Sequence, residues 1–464
     1  MRTEVDVEEL LDRTGITSTT VKLVSLAFFI ILFDGFDLAA LSYAAPHIAA
    51  DWAIGSKAAL GVAFSASLAG MLVGAPVFGL IADRRGRKSV IVLCCLAMGL
   101  PTLAIASVHS LNALLLLRFI TGIGLGGAAP CLIALTAEFA PRRHRATVVT
   151  VMYTGISLGA ALAGALAAWV VPVLGWRVLF LVGGIFPLVF GVFSAVWMPE
   201  SLKFLVTRRP DDARTRTLAA SLGGGWIGPD VVLVVRDFVQ DGARAKPGLI
   251  PRDLFVGRLA FVTPLLWVSK VSILMAYYCV TSWLPTLLGA LHLAVDQAAT
   301  ASISFQIGGA LGGLALSRWI DRRGLTAVAL FFAFGIPGVC LIGYVTHWTG
   351  LLLSVTFVAG FCVMGVQYGL NAISAMVYPT ALRTYGVGWS TAVSRLGAIA
   401  GPMLGAVSIE AGLPIEMTIA SAALPLLLGA MSSFALARVL KVRSQPSLPS
   451  LVPSRSGQGV HDHG

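Results

Sequence analysis

The chain has 464 residues, 57% hydrophobic and only 12% charged, with a mean hydropathy of +0.87. A soluble globular domain carries roughly 25% charged residues, so this composition excludes one and fits an integral membrane protein. The net charge of +11 raises a nucleic-acid partner, which the placement of the basic residues argues against.

Residues 1–21 are polar and hold Glu4, Asp6, Glu8, Glu9 and Asp12. They lack the basic-then-apolar plan of a signal peptide and read as a retained cytoplasmic segment. From Lys22 to Arg438, apolar runs of about 20 residues, enough to cross a bilayer, recur twelve times. They lie at approximately 22–45, 57–82, 89–108, 112–137, 146–171, 177–198, 259–289, 297–317, 325–346, 349–377, 384–409 and 415–438. Six fall in a first half, 22–198, and six in a second, 259–438. A polar connector, 199–258, divides them, and a Ser-, Pro- and Gly-rich tail, 439–464, reads as disordered and cytoplasmic. The expected fold is an all-α membrane protein with 12 transmembrane helices in two six-helix halves.

With an internal amino terminus, 28 of the 33 Lys and Arg residues fall on the cytoplasmic side and only Lys57 and Arg177 outside. This is the positive-inside pattern of a bilayer protein, so the basic charge reports topology and no nucleic acid is expected. The remaining three, Arg118, Lys270 and Arg395, lie within spans.

Two acids, Asp34 and Asp37, also lie inside the first run. An ionised carboxylate at the bilayer centre costs roughly 3 kcal/mol or more, so such groups persist there for a task. Their i, i+3 spacing puts them on one helix face. At 1.5 Å per residue they lie about 18 and 22 Å from the inner end of span one, and Arg118 about 21 Å from the inner surface. The three are nearly level. The arginine would hold the acids ionised until substrate or conformation changes the pairing; a purely structural ion pair is the competing reading. Asp37→Asn is expected to abolish proton-driven accumulation.

Arg395 and Lys270 fall near the midplane, where either could meet a substrate carboxylate. A helix-packing contact is the alternative for Arg395, and the role of Lys270 is open. Span seven supplies the aromatic residues Tyr277, Tyr278 and Trp283. Span ten supplies Gln367 and Asn371, which share a face at i, i+4. All six cysteines sit in apolar runs without metal or disulfide spacing, and His461 and His463 lie in the tail. No metal or other cofactor is expected. Glycine runs such as Gly122 to Gly127 lack the strand and aqueous setting of a phosphate loop, and read as close helix packing.

The halves repeat at an offset of 238 residues. Asp83-Arg84-Arg85-Gly86 matches Asp321-Arg322-Arg323-Gly324, and Gly122, Pro141, Arg145 and Gly159 match Gly360, Pro379, Arg383 and Gly397. Asp34 and Asp37 meet Ser272 and Met275, so the loops are duplicated and the acids are not.

On these residues the chain resembles the major facilitator superfamily. The stretch Gly79 to Lys88, with Asp83, Arg84, Gly86 and Arg87, is similar to the superfamily signature G-x-x-x-D-R-x-G-R-K. The resemblance implies that this loop locks an inner gate, with Glu138 as a carboxylate partner; Arg145, Asp321, Arg322 and Arg383 join the gating set. The alternative is that these charges only anchor the loop. Four stretches further resemble the aromatic acid:proton symporters: Asp34 to Asp37 with Pro46 and Trp52; Arg118 to Gly127; Pro199 to Leu205; and Tyr378 to Arg383 continuing through Arg395 to Pro402. Two departures stand out: Cys131 where asparagine is expected, and Lys270 where the family is usually uncharged.

The resemblance implies a monomeric secondary transporter, not an enzyme, of the bacterial inner membrane. It would import a small aromatic carboxylate with protons by alternating access. The proton site would be Asp34 and Asp37, and the substrate site Arg118, Arg395, Lys270, Gln367, Asn371, Tyr277 and Trp283. Another organic anion, an exporter, or a sensor that has lost transport are the alternatives.

Overall fold

The computed structural model describes residues 3–54, 57–141, 144–208, 213–223, 231–234, 252–291, 293–323, 325–378 and 383–441. Twelve described helical segments are long and apolar enough to cross a membrane. Spans one to six are Ser18–Asp51, Lys57–Arg85, Arg87–Ile105, Leu111–Glu138, Arg145–Trp169 and Arg177–Trp197. Spans seven to eleven are Leu259–Ala290, Val295–Arg323, Leu325–Leu341, Thr349–Val377 and Arg383–Glu410; span twelve is Ile415–Ala420 continued by Ala423–Lys441. The connectors holding Arg84–Lys88, Arg145 and Lys203 lie at one end of the bundle, called here the basic end. The opposite end is the far end.

Glycines set the closest helix contacts, and they reproduce the repeat in three dimensions. A Cβ on Gly70 would strike the carbonyl of Phe119, on Gly74 that of Ile123, and on Gly122 that of Ser67. In the second half Gly308 meets Phe357, Gly312 meets Phe361, and Gly360 meets Phe305 in the same way. Every member of these pairs is displaced by the same 238 residues. Backbones this close leave no room for a side chain, which is how small residues fix helix pairs in an apolar solvent. Spans one and five cross equally tightly, Gly35 against Ile156 and Gly159 against Leu32. That crossing fixes Asp34, next to Gly35, against the middle of span five.

The amino-terminal segment is more than a polar leader. Thr3–Asp6 (β1) pairs in parallel with Val231–Val234 (β2) of the connector. Val7, Leu10 and Leu11, one face of the helix Val7–Thr14, are buried in a cluster with Leu202, Ala219 and Leu222. Glu8 on that helix is itself buried and bonds Lys203 at 2.6 Å, with Arg145 at 3.6 Å. Span one then starts at Ser18, capped by Thr17, whose hydroxyl accepts from the amide of Thr20 at 3.2 Å. Residues 209–212, 224–230 and 235–251 of the connector and the tail beyond Lys441, with His461 and His463, lie outside the described residues.

Candidate functional site

A cavity of about 620 Å³ lies between the halves. Its walls run from mid-span to the basic end: Asp34 in span one, Thr150 and Tyr153 in span five, Asn371 in span ten, and Thr391 and Arg395 in span eleven. The far end is shut by contacts between halves. Phe64 packs edge-on against Trp283 at 5.2 Å, the Ser65 hydroxyl donates to the carbonyl of Ile399 at 2.8 Å, and Thr286 donates to that of Ser42 at 3.4 Å. The molecule is therefore open at the basic end and closed at the far end. A second, much smaller void of about 50 Å³ is lined by Tyr43, Arg118 and Gln306. Leu38, Ile156, Tyr277 and Tyr278 line both spaces and form the partition between them.

The two aspartates occupy opposite sides of this partition. Asp37 is sealed in the wall: Nη1 of Arg118 donates to both carboxylate oxygens at 2.8 and 2.9 Å, and Nη2 to the Asp37 carbonyl at 3.3 Å. Thr102 adds a hydroxyl at 3.1 Å. Both Asp37 and Arg118 are almost inaccessible, at 2% and 1% exposure. A buried charge persists when its partner is close and its remaining lone pairs are satisfied, and removing one partner of such a pair costs about 3–5 kcal/mol. Asp34 has no such arrangement. It lines the large cavity, its Oδ1 has no hydrogen-bond partner among the described residues, and the cation whose field reaches it is Arg395, from the other half. One helical turn separates a carboxylate with both oxygens bonded from one whose Oδ1 has no hydrogen-bond partner among the described residues.

The second half contributes cations. Arg395 borders the cavity with Nη1 3.3 Å from the Met71 sulfur across the interface. Lys270 also lines the cavity and donates to the Ser390 hydroxyl at 3.2 Å. Gln367 and Asn371 are both in the wall, and the Gln367 Oε1 is unpartnered among the described residues. Tyr277 lies in the partition, with Tyr153, Tyr278 and Tyr368 adding aromatic surface.

Two sequence expectations change. Trp283 is not in the cavity wall: buried, it donates its indole N–H to the carbonyl of Pro402 at 2.8 Å and closes the far end against Phe64. An indole N–H in an apolar interior needs such an acceptor, and Gly405, where a Cβ would strike the ring, leaves the space for it. Arg118 does not face the large cavity either, because Asp37 holds it on the other side of the partition. Of the two acids, Arg118 pairs with Asp37.

At the basic end Arg87 pairs with Glu138, and the Ser201 hydroxyl donates to Glu138 at 2.5 Å. Gly86, at φ +94°, turns the chain into span three, whose first amides donate to the Glu200 carboxylate: Arg87 N at 2.8 Å and Lys88 N at 3.1 Å. A carboxylate at a helix amino terminus satisfies orphan donors and complements the dipole. Arg145 faces Glu8 of the amino-terminal helix. Arg84 is exposed, and a Cβ at Gly79 would meet nothing within 4 Å. The side chains of Asp83, Asp321, Arg322 and Arg383 lie outside the described part of the structure. Sequence reasoning missed Thr102, Tyr153, Glu200 and Glu8. Glu200 carried a signal, an acid two residues past the end of a span, and Glu8 stood only as one of five acids in a polar segment.

The sequence profile of the Major Facilitator Superfamily matches residues 27–289 and 266–458. The chain belongs to the major facilitator superfamily. It is 35% identical to a gallate transporter of Pseudomonas putida, over 93% of this chain and 95% of that one. It is 35% identical to the 4-hydroxybenzoate transporter PcaK of Pseudomonas aeruginosa, over 91% and 93%, and 34% identical to a 3-(3-hydroxy-phenyl)propionate transporter of Escherichia coli, over 89% and 93%. Among solved structures it superposes on a partially occluded inward-open form of the xylose transporter XylE, with a TM-score of 0.68 at 16% identity, covering 96% of this chain and 100% of that one. This superfamily member is thus a multi-pass membrane transporter and not an enzyme.

Proposed function

We propose that this chain is a proton-coupled symporter that imports a small aromatic carboxylate by alternating access, as a monomer in the bacterial cytoplasmic membrane with both termini inside. The relatives named for gallate, 4-hydroxybenzoate and hydroxyphenylpropionate support the substrate class. The basic loops at the open end support an inward-facing state by the positive-inside rule.

The observation that carries proton coupling is the unpartnered Asp34 facing Arg395 across the cavity. Without substrate, Arg395 offsets the Asp34 charge. A carboxylate arriving on the guanidinium takes that cation by charge-assisted, bidentate bonding. Asp34, itself only 3% exposed, is then a buried anion without its counter-ion, and a proton neutralises it. Substrate and proton therefore load together, and the neutralised site can pass from one side to the other as the halves rock. Of the two acids expected to couple protons, we keep Asp34 in that role and read the buried Asp37–Arg118 pair as a structural part of the wall.

The test is uptake of labelled benzoate, hydroxybenzoates and phenylpropionates into cells with and without an uncoupler. Wild type should accumulate one or more of them uphill, and Asp34→Asn should bring accumulation down to the uncoupled level while exchange across the membrane persists. Undiminished uphill uptake by Asp34→Asn would refute the coupling role. A panel on which no aromatic acid is carried would favour a different organic anion or export.

A further inference from the structure

Lys270 has no counterpart in the first half, where the equivalent position is Leu32, and the position equivalent to Arg395 is Ser157. Its ammonium is buried, and the only hydrogen bond it makes among the described residues is to the neutral Ser390 hydroxyl. No carboxylate stands beside it there. A buried intramembrane cation without a counter-ion marks a site where an anion arrives.

The Asp, Glu, Lys and Arg residues lining the large cavity are Asp34, Lys270 and Arg395. With a proton on Asp34 the two cations are unopposed. A monocarboxylate loaded with that proton leaves one cation uncompensated in the interior of the membrane. A dicarboxylate loaded with the same single proton leaves none. Ser390, which marks the level of the Lys270 ammonium, and Arg395 are five residues apart on span eleven, so the two cations meet the cavity at different levels. Tyr153, Tyr278 and Tyr368 supply aromatic surface in the same cavity.

Resting on the aromatic-anion reading above, we infer that the cavity is built for an aromatic dicarboxylate, one carboxylate on Arg395 and the other on Lys270, with Lys270 as the residue that selects the dianion.

The experiment reconstitutes the full-length protein in liposomes with an inward proton gradient. It compares uptake of labelled benzene-1,4-dicarboxylate with that of labelled benzoate. Wild type should accumulate the dicarboxylate. Lys270→Met should lower the dicarboxylate-to-benzoate uptake ratio at least about tenfold, the scale on which a site built around a charged group rejects a ligand lacking its partner. Lys270→Arg should retain most of the ratio. Because the readout is a ratio within one preparation, partial loss of folded protein cancels. If Lys270→Met yields no folded protein, Lys270→Gln replaces it. Benzoate accumulation without dicarboxylate uptake by wild type would overturn the inference and leave the aromatic-acid reading intact. A ratio unchanged in the neutral variants would also overturn it. Uptake of neither ligand would remove both the inference and the reading on which it rests.

Discussion

The two halves of the bundle share their packing and divide their charges. Glycine-to-carbonyl contacts recur at one offset, Gly70 on Phe119 and Gly308 on Phe357, Gly122 on Ser67 and Gly360 on Phe305. The ionic groups do not follow. Asp34, Asp37, Arg118 and Glu138 are matched by Ser272, Met275, Thr356 and Met376, while Lys270 and Arg395 are matched by Leu32 and Ser157. In the first half Asp37 pairs with Arg118 and Glu138 with Arg87, leaving Asp34 on the cavity, and the second half presents Lys270 and Arg395 to it. Backbone contact tolerates no added atom, so duplication preserves it. The cavity surface is under no such steric demand, so each half could take on one sign of charge. The coupling proposed above would then rest on the interface, with Asp34 on one side and Arg395 on the other.

The largest expected effect comes from breaking the pair inside the first half. Arg118→Ala leaves Asp37 buried and uncompensated, which should cost about 3–5 kcal/mol and show as a large fall in thermal midpoint and folded yield of the purified protein. The double variant Asp37→Met with Arg118→Thr gives the first half the residues the second already carries at those positions. It should recover most of that loss, because removing both charges removes the desolvation penalty with the attraction. If the double variant is as unstable as Arg118→Ala, the halves are not equivalent scaffolds and the comparison fails at its base.

A smaller effect is expected across the interface. Arg395→Lys keeps the charge and loses the planar fork that holds a carboxylate bidentately. Losing one charge-assisted hydrogen bond of about 1.5–3 kcal/mol should raise the substrate KM by roughly one to two orders of magnitude. Thermal stability should change little, since the hydrogen bond described for Arg395 is only to the Met71 sulfur. Kinetics of uptake and a melting curve on the same preparation separate the two. A fall in stability comparable to that of Arg118→Ala would make Arg395 a structural residue.

The spans, their number and the duplicated register were legible because each rests on a local signal: apolar length, basic loops, and glycines at a fixed spacing. The intramembrane charges were legible as a set and not as pairs. Depth along a helix put Arg118 level with both acids, but which acid it meets depends on the rotation of span four against spans one, two and three, which the Thr102 and Ser67 hydroxyls help fix. Trp283 was misplaced for the same reason, since an aromatic in span seven can face the cavity or the far-end seam and only the helix rotation decides. The amino-terminal segment was invisible because its strand pairs with residues more than 200 positions away, and no periodicity within four residues can announce that.

That segment supplies the smallest and last test of the comparison. The second half has no equivalent of Glu8, whose carboxylate lies between Lys203 of the connector and Arg145 at the start of span five. Glu8 is buried, whereas the side chains of Lys203 and Arg145 are 21% and 36% exposed. Water therefore screens the partners, and the cluster resembles a surface ion pair in strength, about 0.2–1 kcal/mol. Glu8→Gln keeps the shape and removes the charge, so the global melting midpoint should hardly move. The local anchor should weaken instead: amide exchange over Thr3–Thr14 should quicken, while exchange in span one beyond its Thr17 cap stays as it was. The substitution works only on the first half, because Arg383, the residue equivalent to Arg145, begins span eleven far from the amino terminus in sequence. Faster exchange spreading into spans one and five alike would mean that Glu8 braces the transport core and not merely the strap that covers it.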